Sequence, residues 1–194
     1  MLSVVIATHD SERALLPTLA ALVSGAAAGI VREVIVADAG SRDATTAIAD
    51  GAGCRVLVSA QGRGARLKTA AEAARASWLL FLRPGVVLDA TWVDETRRFV
   101  EETELRGGAG THAAVFRASA FRPALLEALA LLGAALGAKP DASEDLVIAK
   151  AHYAALGGHR DVEEPERDLR RRLRRHLVLL HTGAIMAGSG RLLD

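Results

Sequence analysis

The segment Arg32-Glu-Val-Ile-Val-Ala-Asp-Ala-Gly-Ser-Arg-Asp43 constrains the fold of this chain more than any other. Its β-branched run Val34-Ile35-Val36 predicts a buried strand, Asp38 closes it, Gly40 permits a tight turn, and Ser41 is placed to cap a helix through 43–49. A strand running straight into a helix is the unit of an open α/β sheet, and a carboxylate at the strand's carboxyl end faces the ligand crevice of such a sheet. Leu2-Ser-Val-Val-Ile-Ala7 repeats the construction, with a polar turn Thr8-His-Asp-Ser11 and a helix opened by Glu12 that runs to about Val23.

Further strands are predicted near 54–59 and 78–82, and helices near 12–24, 43–51 and 64–76. The alternation implies an α/β fold with a mostly parallel, Rossmann-like central sheet flanked by helices. After Arg83-Pro84-Gly85 the pattern becomes mixed: Asp89 is placed to cap a helix near 90–104, Arg106–Gly110 reads as a turn and Thr111–Arg117 as a strand. A helix near 120–137, a short strand near 145–149, a helical turn near 151–156, a charged helix near 164–175 and a last apolar run His176–Leu180 follow. At 194 residues, 51% of them apolar, the chain suits one domain covering 1–194 with a sizeable core.

Charge excludes some function classes. With 24 basic and 23 acidic residues, no global field recruits nucleic acid or an anionic membrane. The single cysteine, Cys54, excludes an internal disulfide and reads as a buried strand residue, and no Cys/His spacing suggests zinc, so a reducing, cytoplasmic compartment is expected. Leu2–Ala7 is too short to span a bilayer and lacks a signal-peptide pattern; Pro123–Gly137 is also short and carries Glu127, which makes it a helix packed on the sheet. Membrane association is not indicated. The basic run Arg170–Arg175 reads as a solvated helix face, because Leu169, Leu173 and Leu177 supply an apolar stripe. Only 4% of residues are aromatic, which favours recognition by backbone and charge over stacking.

Five short motifs in order carry a family resemblance. Val4-Val-Ile-Ala-Thr-His-Asp10 with Glu12, and Val36-Ala-Asp-Ala-Gly-Ser-Arg-Asp43, resemble the V-V-I-P-T-Y-N-E and V-V-D-D-G-S-x-D openings of the family 2 glycosyltransferases. Gln61-Gly-Arg-Gly-Ala-Arg-Leu-Lys68 is similar to the family's G-[KR]-G-A-x-x-N, Trp78-Leu-Leu-Phe-Leu82 to its W-L-L-F-L-D-A-D, and Ala154-Ala-Leu-Gly-Gly158 to its A-L-G-G. The resemblance implies a GT-A, nucleotide-diphospho-sugar transferase fold, with 1–88 as the nucleotide-binding half and 89–194 as the acceptor-side half. It implies a UDP-type donor, an acceptor that the residues do not name, and no nucleic-acid partner.

The implied site follows residue by residue. Ala7, Thr8, Asp10, Glu12 and Asp38 would line the base and ribose, with Asp38 accepting from the base N–H. The divalent metal that such enzymes hold with Asp-x-Asp loses both carboxylates here, because that position reads Arg83-Pro84-Gly85. No metal is therefore expected there, and Arg63, Lys68 and Arg83 would offset the diphosphate charge instead. Glu166 is the implied catalytic base and Asp168 an alternative, as is Glu164, though acids in the first turn after Pro165 also stabilise a helix by themselves. Glu144 and Asp145 would bind acceptor hydroxyls or cap a strand. A noncatalytic nucleotide- or partner-binding relative is the rival reading. A nucleotidyltransferase is disfavoured, because Thr8-His-Asp-Ser11 stands where its glycine-rich loop would be.

Overall fold

The computed structural model describes residues 1–107, 112–119, 142–173 and 176–187. In chain order the elements are β1 (Leu2–Thr8), α1 (Glu12–Ala27), β2 (Val31–Asp38), α2 (Thr45–Gly51), β3 (Arg55–Val58), α3 (Arg63–Ala73), β4 (Trp78–Leu82) and β5 (Val86–Leu88). They continue with α4 (Trp92–Leu105), β6 (Ala113–Ser119), β7 (Ala142–Ala149), α5 (Lys150–Ala155), α6 (Pro165–Leu173) and β8 (Leu177–Met186). The helix expected near 120–137 and the arginines Arg174 and Arg175 lie outside the described residues.

One eight-stranded sheet runs in the order β3-β2-β1-β4-β7-β6-β8-β5. β3, β2, β1 and β4 are parallel, β7 is antiparallel to β4 and β6, and β8 lies parallel to β6. β1 and β4 are buried along their whole length because helices cover both faces, which is why their sequences are continuously apolar instead of alternating. Alternation reappears in where the side chains go. Leu2, Val4 and Ile6 join one core with Leu15, Trp78, Leu80, Trp92 and Phe116, while Val5 and Ala7 join another with Leu67, Leu79, Phe81, Tyr153 and Leu169. Burial of each large side chain contributes roughly 1.5–3 kcal/mol.

β5 is absent from the sequence reading, and it bends the sheet. Four residue steps separate Leu82 from Val86, a reach of at most about 14 Å. Four strand spacings of a flat sheet would place β4 and β5 about 19 Å apart. The strands from β4 to β5 must therefore curl toward each other, and Arg83-Pro84-Gly85 sits where the curl closes. Gly85 has φ of 92°, donates to the Ala14 carbonyl oxygen at 2.8 Å and the Thr18 hydroxyl at 2.9 Å, and accepts from the Ala187 N–H at 2.6 Å.

Two capping expectations are corrected. α2 starts after Ala44, and Ser41 bonds Asp38 instead of capping the helix. α4 starts after Thr91, while Asp89 accepts from the Thr91 N–H and hydroxyl and from the Thr182 hydroxyl and Gly183 N–H, tying α4 to β8. Cys54 is buried, at the residue before β3.

Candidate functional site

The sheet's direction of winding reverses at β1, which pairs with β2 on one side and β4 on the other. A crevice at the carboxyl ends of strands opens at such a reversal. Because β7 is antiparallel and Leu146 pairs with Phe81, the start of β7 brings Glu144 and Asp145 to the same rim as Thr8, Asp38 and Arg83.

Asp38 does not face that crevice. It is fully buried, and its carboxylate accepts from the Thr8 hydroxyl at 2.7 Å, the Ser41 hydroxyl at 2.5 Å, the Gly40 N–H at 2.8 Å and the Ser41 N–H at 2.7 Å. Burial by itself would raise its pKa, but the bonds from Ser41, Thr8 and Gly40 outweigh burial and hold the carboxyl below its ordinary value. The physical reason is the turn: with Gly40 at φ of 88°, two successive N–H groups point back at the strand end and need an acceptor. The next position, half-buried at the rim, is Ala39.

The loops after β1 and β2 interlock. Asp10, at φ of 45°, accepts from the Arg42 N–H at 2.7 Å and donates its own N–H to the Ser41 hydroxyl at 2.9 Å. Glu12 accepts from the Ala44 N–H at 3.0 Å, and its N–H donates to Asp43 at 3.1 Å. Thr8, Asp10, Glu12 and Asp38 are thus brought together, as a network that shapes the rim from within, and Ala7 lies buried beneath it.

In α3 the three basic residues diverge. Gly62 and Gly64 let the Arg160–Asp161 segment lie against the start of the helix; a Cβ on Gly64 would collide with the Arg160 carbonyl oxygen and one on Gly62 with the Asp161 carboxylate. Arg63 Nε donates to Glu166 Oε1 at 2.6 Å. Lys68 is exposed beside Lys150 and Tyr153 at a cavity of about 200 Å³. Arg66, which the motif reading passed over, is buried and donates to the carbonyl oxygens of Gln61 at 3.2 Å, Thr8 at 2.9 Å and Ala37 at 2.5 Å. Burial and then Arg63 lower its pKa, opposed by Asp38 and Asp161, and a guanidinium stays protonated. Its position on the same buried stripe as Leu67, Ala70 and Ala71 was the available signal, a charge where the helical period demands an apolar residue.

Arg83 is held by acids. Its Nη1 donates to Glu144 Oε2 at 3.0 Å, its backbone N–H donates to Asp145 Oδ1 at 3.1 Å, and its Nε lies 3.8 Å from the same oxygen. The Asp-x-Asp position does not fit a divalent metal. A cation replaces the first carboxylate, and the second is replaced by Gly85, whose positive φ strains any side chain. Among the described residues no group of three or more His, Cys, Asp or Glu side chains is arranged to hold a metal ion.

Beside the start of β7, Glu144, Val162, Glu163, Glu164, Arg167 and Asp168 help line a cavity of about 890 Å³. Asp168 is a buried anchor: it pairs with Arg171 and Arg172 at 3.0 Å, and Arg172 donates onward to the carbonyl oxygens of Leu156 and Gly158 at 2.7 Å. Burial pushes its pKa up, but Arg171 and Arg172 leave it lowered on balance. Glu164 pairs with Arg167 at 2.8 Å in an exposed setting. Beneath them His159 Nδ1 meets the Tyr153 hydroxyl at 2.9 Å, edge-on to Phe81. Burial, then Arg172 and Arg63, push the His159 pKa down to about 3, while burial raises that of Tyr153.

This arrangement defines a GT-A, nucleotide-diphospho-sugar transferase fold. The model of glycosyl transferase family 2 matches residues 3–122, and the chain belongs to that family. No curated protein sequence matches it. Among solved structures it is similar to a mycobacterial protein (TM-score 0.64, 21% identity, covering 100% of this chain and 68% of that one). It is also similar to glucosyl-3-phosphoglycerate synthase from Mycobacterium tuberculosis in complex with Mn2+, UDP and glucosyl-3-phosphoglycerate (TM-score 0.63, 21% identity, 100% and 74% covered). A third is S. aureus TarS with UDP (TM-score 0.63, 13% identity), of which the chain matches 58% with 97% of its own length. At these identities the likenesses establish the fold alone. Among the described residues no helix is long and apolar enough to cross a membrane.

Proposed function

We propose that the chain binds a nucleotide-diphospho-sugar along the rim formed by β1, β2 and β4 and transfers its sugar to an acceptor in the cavity beside Glu144. The observation that carries this reading is the meeting of Arg63, from the start of α3, with Glu166, from the start of α6, because it joins the nucleotide half 1–88 to the acceptor half 89–194. The UDP complexes of the similar M. tuberculosis and S. aureus proteins support the donor class.

In this mechanism the interlocked loops of Thr8, Asp10, Glu12 and Asp38 hold the rim rigid for the base and ribose, with Asp38 acting through the turn. Glu166 takes the proton of the acceptor hydroxyl as it attacks the anomeric carbon. Arg63 and Arg66 offset the charge that develops on the leaving diphosphate. Glu144 accepts from an acceptor hydroxyl, and Asp145, itself buried, anchors Arg83 through the Arg83 backbone N–H. Asp168 positions the helix that carries Glu166. No step passes through a metal.

A second reading, a nucleotide-binding relative without transfer, is favoured by one observation: Arg83 faces two carboxylates, which neutralise the cation nearest the lost metal site. Thermal shifts with nucleoside diphosphates and nucleotide sugars, with and without manganese, test the binding reading, since a bound ligand raises apparent stability with affinity. Equal shifts in both conditions are expected, and a large manganese-dependent gain contradicts the metal-independent mechanism. Slow release of sugar from a nucleotide sugar marks a catalyst, whereas saturable binding without release marks the relative.

A further inference from the structure

We infer that the cavity of about 200 Å³ between α3 and α5 is a second ligand site, which takes a small organic monocarboxylate: Lys68 and Lys150 meet its charge and the ring of Tyr153 its apolar body. The site stands apart from the rim. Lys68 is five residues beyond Arg63 in α3, about 7.5 Å along the helix, and the residues lining this cavity are all different from those lining the one beside Glu144.

The cations have capacity left. Lys68 makes no hydrogen bond or ion pair among the described residues, although Glu72 stands one helical turn on, at the spacing where lysine and glutamate commonly pair. Lys150 Nζ donates to the carbonyl oxygens of Glu72 at 2.9 Å and Ala74 at 2.5 Å, at the carboxyl end of α3, which leaves one of its three N–H groups. Two backbone acceptors hold the ammonium in place, so a ligand does not have to order that side chain. Lys68 and Lys150 set against Glu72 leave one positive charge at the cavity, which matches a single carboxylate and disfavours a dianion.

The apolar wall is fixed before any ligand arrives. Tyr153 is buried, its hydroxyl accepts from the His159 N–H at 2.9 Å and meets His159 Nδ1 at 2.9 Å, and its ring lies against Phe81 with centroids 5.1 Å apart. With the hydroxyl consumed inside, Tyr153 offers a ligand only ring carbon, beside Ala71 and Ala154. Gly158, at φ of 70°, lets the ring stand there: a Cβ on it would come within 3.0 Å of the Tyr153 ring. An apolar cavity of about 150 Å³ holds benzene, so this one has room for one ring and a small anionic head.

Tyr153 is the single tyrosine of the chain, so carbon-13 at tyrosine Cζ gives one NMR signal that reports this cavity. Titration of the intact chain with benzoate is expected to move that signal saturably, with half-saturation near about 1 mM. Benzamide, neutral and of the same shape, is expected to bind at least about tenfold more weakly. Lys68→Gln removes an exposed cation, and should weaken benzoate about tenfold while leaving benzamide unchanged. Equal binding of benzoate and benzamide, or no saturable movement with benzoate, overturns the inference on the unaltered chain. An unchanged benzoate affinity in folded Lys68→Gln overturns it as well.

Discussion

Arg63 and Glu166 are 103 positions apart in the chain, and Arg63 Nε reaches Glu166 Oε1 at 2.6 Å. The carboxylate end of this pair is the more enclosed: the Glu166 side chain is 13% exposed against 37% for Arg63. A carboxylate beside a cation, at the seam between the proposed nucleotide and acceptor halves, is where the proposed mechanism needs its base.

Glu166→Gln keeps the size of the side chain and most of its hydrogen bonding while removing the basic oxygen. Turnover should fall about 100-fold or more, with nucleoside diphosphate affinity nearly unchanged. Single-turnover sugar transfer or donor hydrolysis, beside calorimetry, measures both; a variant with wild-type turnover removes Glu166 from the role.

Asp168→Asn should behave differently. One of its two arginine partners, Arg172, supports the loop ending at Gly158, so the loss should appear as a lowered midpoint in denaturant unfolding, and as lower activity only through misplacement of α6.

Asp38→Ala leaves the Gly40 and Ser41 N–H groups and two hydroxyls without their acceptor. A cost of about 2–4 kcal/mol is expected in urea unfolding. Because the folded pKa of Asp38 lies below its unfolded value of 3.8, its stabilisation is present above that value and is lost as pH falls through the folded pKa. The wild-type chain should therefore show an acid-side loss below about pH 4 that Asp38→Ala lacks.

His159 acts at higher pH. Its folded pKa of about 3 lies under its ordinary 6.5, so between these values the unfolded chain binds the extra proton and stability falls as pH drops. The slope should approach 1.4 kcal/mol per pH unit at most, set against Arg63, Arg172, Asp168 and Tyr153 around the ring. Urea midpoints from pH 7 to pH 4.5 measure it. His159→Gln should flatten the slope; an unaltered slope would place the titration elsewhere.

Gly85→Asp would restore one carboxylate of the lost metal motif on a backbone at φ of 92°. The strain should cost about 1–3 kcal/mol without conferring manganese binding, because Arg83 still faces Glu144 and Asp145. A thermal-shift gain on adding manganese to this variant would contradict the geometry described.

The sequence alone determined the parallel half. Strands at 2–7, 33–37 and 78–82 and the helices between them were legible because local signals agree there: continuous apolar runs, polar turns and helical periods repeat at short range, and the family motifs lie on them. β5 was not legible, since Val86-Val87-Leu88 is too short to carry a pattern and pairs with Ala184–Met186 nearly a hundred positions later. The same limit governed the site. The family resemblance implied Asp38, Arg63, Arg83, Glu144 and Glu166 as site residues, but which of them are already occupied depends on partners distant in the chain. Only the tertiary structure decided that Asp38 is consumed by its own turn, that Arg83 is held by Glu144 and Asp145, that Lys68 points away beside Lys150, and that Arg66 comes to rest between two strand ends. Charge and hydrogen-bond capacity are properties of a side chain; whether any capacity remains for a ligand is a property of the packing around it.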